Sequence, residues 1–393
     1  MNLTLEIKSI IKRFVFFIVE RLAPFFNKNK PIDKAKIKKI LIFESGGIGD
    51  LLKIFPAVSA LRANFPDASI SILVRPHAKE ALELFEEKDI IDEVINYEHD
   101  KMHKSFLKKL LLIRSLRKHK YDLIYVPSKG QGMREHILMA FLMRAPHRVG
   151  FTKNGTGLLN TVRIEFKDDV PILKQNLDLL HACNLLTKDK VTIIKISEKD
   201  MVFAKKYLGN ANHYPTISIH PAAWWRADYK MWPLDRYIDL IRRLKSIFDA
   251  RIIIIGGKGD VKIGREIEKG ITGAIINVIG NTTVSQMAAI IKLSHLFVGN
   301  DSGPLHIASV VETPFIGIFG PTSPVQVLTN MSNGVSLHKK LSCSPCYLHQ
   351  PSFTPSCGKL NCPPCIEAIS VDDVIEAITK ILNLKVGFYA NRS

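Results

Sequence analysis

Two successive series of short β-rich runs alternating with helical stretches predict an α/β chain of two doubly wound domains with mostly parallel sheets. Length agrees, because 393 residues exceed what one core ordinarily organises and suit two domains of common size. So do the glycine-bearing turns that join β-rich runs to helices at two places in the chain.

The first series comprises residues 40–43, 69–74, 122–126 and 162–166. The second comprises residues 216–219, 251–255, 275–279, 296–298 and 315–319. A helix around 175–185 precedes a boundary expected within 194–201. The expected organisation is therefore an N-terminal amphipathic extension (1–36), a first Rossmann-like domain (37–195) and a second (196–370), with a C-terminal helix and tail (371–393).

In the extension, "IIKRFVFFIVERLAPFF" has an apolar centre at 14–19 between Lys12-Arg13 and Glu20-Arg21. That span is far short of the about 20 residues a transmembrane helix needs, and no small-residue cleavage site follows. On a helix, Ile10, Phe14, Phe17 and Ile18 would share one side, fit to lie in a membrane interface or to pack on the protein itself.

Hydrophobic content of 46% with 23% charged residues indicates a globular chain, neither disordered nor polytopic. The net charge of +18 favours polyanionic partners, although a generally basic proteome would also raise it. Without an RNP stretch or Cys2His2 spacing, no nucleic-acid partner is expected. Five of the six cysteines crowd one stretch, which suits a cytosolic chain with reduced thiols.

The stretch "ESGGIGDLLKIFPAVSALRANFP" begins at Glu44, directly after the first β-rich run. Gly46, Gly47 and Gly49 lack the G-x-G-x-x-G spacing of a dinucleotide cradle, and no carboxylate ends the next run, which stops at Val74-Arg75. An NADP site with Arg75 on the 2′-phosphate is a weak alternative. The glycines better serve a tight strand-to-helix turn that places Asp50 at a helix start, at the carboxyl end of a central strand. Asp50 is then either a reactive carboxylate or a helix-terminal one satisfying backbone N–H groups.

"HLFVGNDSGPLHIASVVETPFIGIFGPTSP" begins at His295 and parses as strand, sharp loop, helix and strand. Asp301, Ser302 and Gly303 open the helix, where free N–H groups suit phosphate oxygens, and His306 lies about one turn further on. The bland reading makes Asp301 a cap and His306 a core residue. Lys230, in "HPAAWWRADYKMWP", is a compact cation for a diphosphate. Gly256 and Gly257 permit close backbone approach to a nucleotide. Together these loops indicate a nucleotide-diphosphate site in the second domain. No D-x-D occurs, so a metal-independent mechanism, with no cofactor required for catalysis, is expected. Cys343, Cys346, Cys357, Cys362 and Cys365 could supply four thiolates to a structural zinc, or be reduced thiols.

With these motifs in their order, the chain resembles the heptosyltransferases of glycosyltransferase family 9, bacterial enzymes of lipopolysaccharide assembly, over roughly residues 37–382. "GGIGDLLKIFPAVSALRANFP", "HPAAWWRADYKMWPLDRY", "IIIIGGKGD" and "GNDSGPLHIASVVETPFIGIFGPTSP" carry the resemblance. It implies a GT-B fold, two Rossmann-like domains facing a cleft, and inverting transfer of heptose from ADP-heptose. It also implies Asp50 as general base, Lys230 on the donor phosphates, and Asp301, Ser302, Gly303 and His306 as the D-[ST]-G-x-x-H donor element. Glu44-Ser45 departs from the small or basic residues usual before the glycines, which leaves the acceptor open. The partners expected are a nucleotide-sugar donor, an anionic glycolipid or saccharide acceptor, and the cytoplasmic face of the inner membrane as a peripheral contact. An NADP-dependent oxidoreductase, or a non-catalytic sugar-nucleotide or membrane-binding module, would be the alternative.

Overall fold

The computed structural model describes residues 18, 21–22, 31–85, 88–98, 103, 105–127, 129, 132–187, 194–208, 215–223, 228–347, 357 and 363–390. Two compact units result. The first is drawn from Met1–Lys79 and Glu87–Lys190, the second from Glu80–Glu86, Val191–Leu348 and Thr354–Ser393.

In the first unit six strands form one wholly parallel sheet: β1 (Lys39–Phe43), β2 (Ser69–Val74), β3 (Glu93–Asn96), β4 (Leu123–Val126), β5 (His147–Thr152) and β6 (Val162–Glu165). Their order is β3-β2-β1-β4-β5-β6. After the exposed Lys39, strand β1 is apolar because both faces are covered, and Ile40, Leu41, Ile42 and Phe43 are fully buried. The main helices are α1 (Ile48–Asn64), α2 (Phe106–Lys118), α3 (Met133–Leu142) and α4 (Ile172–His181). Helix α1 stops just before Phe65-Pro66, as expected where a proline disfavours helical geometry in the residue before it. Helix α2 starts at Ser105, whose hydroxyl accepts from Lys108 N at 3.2 Å.

The second unit repeats the plan with β7 (Thr216–His220), β8 (Arg251–Ile254), β9 (Ile276–Asn277), β10 (Leu296–Asn300), β11 (Phe315–Phe319) and β12 (Gly334–His338). All pairs are parallel, in the order β12-β11-β10-β7-β8-β9. Its helices include α5 (Glu198–Leu208), α6 (Leu234–Phe248), α7 (Val261–Gly270), α8 (Val284–Leu293), α9 (Gly303–Val310) and α10 (Val371–Ala390).

Three strands escape the sequence reading, each for a physical reason. Strands β3 and β12 are sheet edges and only partly buried, so they lack a continuous apolar run. Strand β5 contains His147 and Arg148 yet is buried from His147 to Phe151. Its Arg148 guanidinium is satisfied by the carbonyls of Leu159 at 3.0 Å and Ala145 at 2.5 Å, which makes burial tolerable. The strand expected at 275–279 shortens to β9, and the helix expected at 175–185 begins earlier, directly after Pro171.

The second unit also takes in residues 80–86 and 191–195, expected in the first domain, and the C-terminal helix, expected apart from it. Phe85 bridges Ile194, and Lys195 N donates to Leu84 O at 2.6 Å. Helix α10 buries Val374, Ala377 and Ile378 in the same core as Ile217, Ile254, Leu296 and Ile316. Trp232, fully buried, donates its indole N–H to Ile369 O at 2.8 Å. Of the N-terminal stripe, Ile10, Phe14 and Phe17 lie outside the described residues. Among the described residues no helix is long and apolar enough to cross a membrane.

Candidate active site

Each sheet has one point where the strand order reverses, and open α/β sheets bind ligands at that crevice. In the first unit it falls between β1 and β4, in the second between β7 and β10.

In the first unit, the loop after β1 carries Glu44 to Gly47 and the loop after β4 carries Lys129. Asp50 stands in the first turn of α1. Its Oδ2 accepts from Gly47 N at 3.2 Å, and its Oδ1 lies 3.2 Å from Lys53 Nζ and 3.4 Å from Lys129 Nζ. Both lysine side chains are 6% exposed against 34% for Asp50, so the carboxylate is the part that solvent and ligands reach. Burial alone would raise its pKa, but Lys53 and Lys129 outweigh that and hold it well below the usual carboxylate range. Asp50 is thus a helix-terminal acceptor, one of the two readings the sequence left open, and it is ionised within a charge cluster.

The glycines divide the work. A Cβ on Gly46 would lie 2.4 Å from Asp50 Oδ2, so only glycine permits this approach. A Cβ on Gly47 would meet nothing within 4 Å, and Gly47 serves as the extended residue before α1. Gly49 is buried in the first turn.

Glu44 accepts from Gly46 N at 2.6 Å and is buried. Burial first, and then the neighbouring Asp50 charge, push its carboxyl up to about 7. Arg75 donates its Nε to Ser45 O at 2.5 Å, and Ser45 Oγ bonds His136 Nε2 at 2.9 Å. Arg75 therefore clasps the glycine loop from a buried position, the opposite of an open guanidinium awaiting a 2′-phosphate.

In the second unit Asn300 ends β10 and ties neighbouring loops together. Its Oδ1 accepts from Trp232 N at 3.1 Å, and its Nδ2 donates to the carbonyls of Pro221 and Ala222, both at 3.1 Å. Asp301 follows, with Lys230 Nζ 2.6 Å and Thr322 Oγ1 2.7 Å from its Oδ2, and His306 Nε2 3.5 Å from its Oδ1. Burial opposes both charges of the Lys230–Asp301 pair. Their mutual attraction wins, holding Asp301 well below and Lys230 well above their ordinary ranges. The ammonium also stands over the Tyr347 ring, 5.4 Å from its centroid, and Tyr347 stacks on Tyr229.

Ser302 Oγ bonds His220 Nδ1 at 3.0 Å and donates to Asn300 O at 3.2 Å, placing it just ahead of α9, which Gly303 and Pro304 open. Gly257 N donates to Asp260 Oδ2 at 2.8 Å, and a Cβ on Gly256 would come within 3.0 Å of the same oxygen. His220 Nε2 is 3.8 Å from that oxygen, so the glycine loop and the α9 start meet around His220.

Lys230, Asp301, Ser302 and His306 thus share one cluster, with Gly303 opening the helix beside it. The Asp301 side chain is 4% exposed and anionic, unsuited to touching a phosphate. It orients Lys230 and His306, leaving the α9 N–H groups and the part-exposed ammonium to face an anion.

Sequence reasoning missed Glu44 as a titrating group, and also Lys53, Lys129, Asn300, Thr322 and Tyr347. Lys129 and Asn300 lie at strand ends, so the rule that found Asp50 applies to them. Tyr347 carries no such signal, because only the folded chain brings it to Lys230. Cys343, Cys346 and Cys365 are free thiols, and Cys362 lies outside the described residues. Among the described residues no three His, Cys, Asp or Glu side chains are grouped to hold a metal ion.

Comparison with known proteins agrees with this architecture. The family model described as "Glycosyltransferase family 9 (heptosyltransferase)" matches residues 110–356. Lipopolysaccharide heptosyltransferase 3 of Escherichia coli K12 is 28% identical over 290 residues, covering 70% of this chain and 81% of the relative. Lipopolysaccharide heptosyltransferase 2 of the same organism is 24% identical over 300 residues, covering 73% and 84%. Among solved structures, E. coli ADP-heptose lps heptosyltransferase II superposes with a TM-score of 0.66 at 21% identity, covering 89% of this chain and 99% of the other. A glycosyl transferase family 9 protein from Veillonella parvula gives 0.67 at 17% identity, covering 90% and 99%. The fold, two parallel six-stranded sheets flanked by helices, is GT-B. The chain belongs to glycosyltransferase family 9 and is a glycosyltransferase.

Proposed function

We propose that the protein transfers a heptose, or a closely related sugar, from a nucleotide-diphosphate sugar to a lipopolysaccharide-core or similar glycolipid acceptor. ADP-heptose is the donor proposed. The reaction is inverting: the acceptor oxygen bonds the anomeric carbon while the bond to the diphosphate oxygen breaks. The hydroxyl proton passes to a carboxylate, and the leaving diphosphate keeps the electron pair. Asp50 is the carboxylate proposed to take the proton. Glu44, with a carboxyl near 7, has the greater proton affinity at neutral pH, but it is 6% exposed where Asp50 is 34%. Contact with the substrate decides the role, and access favours Asp50.

On the donor side, the proposal gives Lys230 and the N–H groups of Ser302 and Gly303 to the diphosphate, where negative charge grows as the bond breaks. Asp301 and His306 act there by position, and Gly256 and Gly257 let the nucleotide approach backbone. No metal takes part in any step. The acceptor places the enzyme at the cytoplasmic face of the inner membrane. The likeness to lipopolysaccharide heptosyltransferases 3 and 2 supports heptose as the sugar.

The observation that carries this reading is the placement of Asp50 beside Lys129 at one reversal point, and of Lys230, Asp301 and His306 at the other. The test is transfer of labelled heptose from ADP-heptose to a deacylated, water-soluble core acceptor, with the anomeric configuration of the product read by NMR. A retained configuration, or hydride exchange with NADPH in place of transfer, would overturn it.

A further inference from the structure

Helix α2 displays apolar side chains where a solvated helix ordinarily carries polar ones. Phe106, Leu107, Leu110 and Leu111 are 75%, 66%, 38% and 58% exposed. Their spacing gathers them on one side of the first two turns. The helix cannot roll to hide them. Ile113 and Leu116 are buried on its other side, and Lys109 pairs with Glu135 of α3, which also accepts from the Tyr97 hydroxyl.

Charge follows the same outward arc. Arg114, Arg117 and Lys118 continue it through the last two turns, Lys108 borders it, and "FLKKLLLIRSLRK" contains no carboxylate. An apolar first half and a cationic second half on one exposed face match a lipid surface, in which acyl chains lie beneath phosphate headgroups. A second copy of this chain fits poorly, because it would bring two such cationic arcs together.

Position adds a reason. In a parallel sheet the connecting helices run opposite to the strands, so the apolar first turn of α2 lies toward the carboxyl edge of the sheet. That edge bears the glycine loop and Asp50. The link is also material: Glu135 holds α2, and the adjacent His136 bonds Ser45 in that loop.

We infer that this face of α2 docks on an anionic lipid surface, with Phe106, Leu107, Leu110 and Leu111 among the acyl chains and Arg114, Arg117 and Lys118 at the headgroups. The inference rests on the proposed reaction only in taking the acceptor to be lipid-linked; docking itself needs no sugar.

The test uses the full chain with vesicles of phosphatidylglycerol and phosphatidylethanolamine, against phosphatidylcholine alone. Leu107→Trp should give blue-shifted emission that brominated phosphatidylglycerol quenches. Arg114→Glu/Arg117→Glu/Lys118→Glu should lower partition onto the anionic vesicles on the order of 100-fold. Leu107→Gln/Leu111→Gln should lower it as well, with ADP affinity unchanged as evidence of an intact fold. If the protein sediments with vesicles while the tryptophan at 107 stays unquenched, the lipid contact lies elsewhere and the inference fails. If that tryptophan is shielded without lipid and sedimentation velocity reports a dimer, a second copy covers the face and the inference also fails. Loss of transfer to the soluble acceptor in every form would overturn the proposed reaction and leave the docking result standing.

Discussion

Asp50 and Glu44 stand on either side of one glycine turn with opposite proton affinities, and this makes their roles separable. Glu44 has a folded pKa raised to about 7, so the stabilisation from its bound proton is complete below the ordinary glutamate range and is lost as pH rises through about 7. Glu44→Gln removes that slope and can still accept from Gly46 N. The variant should therefore melt higher than the parent at pH 8 and show no such advantage at pH 4, by scanning calorimetry. Asp50 has the opposite sign, ionised through the neutral range and neutralised only in strong acid. Asp50→Asn should lower turnover by about 100-fold or more while leaving ADP affinity nearly intact. Near-normal turnover in Asp50→Asn, with an acid limb near pH 7 abolished by Glu44→Gln, would move the base to Glu44. On the donor side, Lys230→Ala should weaken ADP binding far more than adenosine binding, by titration calorimetry; equal losses would detach Lys230 from the diphosphate.

At the scale of elements, the strand-to-helix turn before α1 makes a sharp contrast between adjacent glycines. A methyl on Gly46 collides with the Asp50 carboxylate, whereas one on Gly47 enters open space. Gly46→Ala should depress turnover in the same direction as Asp50→Asn, and Gly47→Ala should be close to neutral in both turnover and melting temperature. Equal behaviour of the two would show that the close approach to Asp50 has no catalytic consequence. How legible this turn was depends on the residue. The glycines and Asp50 stand within five positions, 46–50, so local spacing exposes them. Lys129 reaches Asp50 from the next strand in the sheet, and no local pattern announces that pairing.

For the whole molecule, the division into units does not follow chain order. Phe85 is 1% exposed and bridges Ile194 in the second unit, although it lies in the first quarter of the chain. Phe85→Ala should cost about 3–5 kcal/mol. Hydrogen exchange should locate the loss in α8, because Glu80 in that segment accepts from Val284 N at 3.4 Å. Faster exchange confined to β1 and β2 would contradict the assignment of this segment. Deleting residues 1–30 should leave transfer to a water-soluble acceptor unchanged, since no residue placed at either site lies there.

The sequence by itself determined the two parallel sheets, the strand ends that carry the candidate sites, and Asp50, Lys230, Asp301, Ser302 and His306 as polar residues in the loops and helix starts that follow them. Each of these follows from interactions short in sequence: apolar runs that both sheet faces bury, glycines that allow a turn, and a helix start that exposes N–H groups. Tertiary structure alone decided the order of the strands, the lysines that hold Asp50 ionised, the near-neutral carboxyl of Glu44, the Asn300 bonds and the partner of Phe85. These depend on burial and on contacts between residues up to 109 positions apart, as from Phe85 to Ile194. The proton affinity of a side chain is set by the charges and solvent around it, and only the folded chain assembles those.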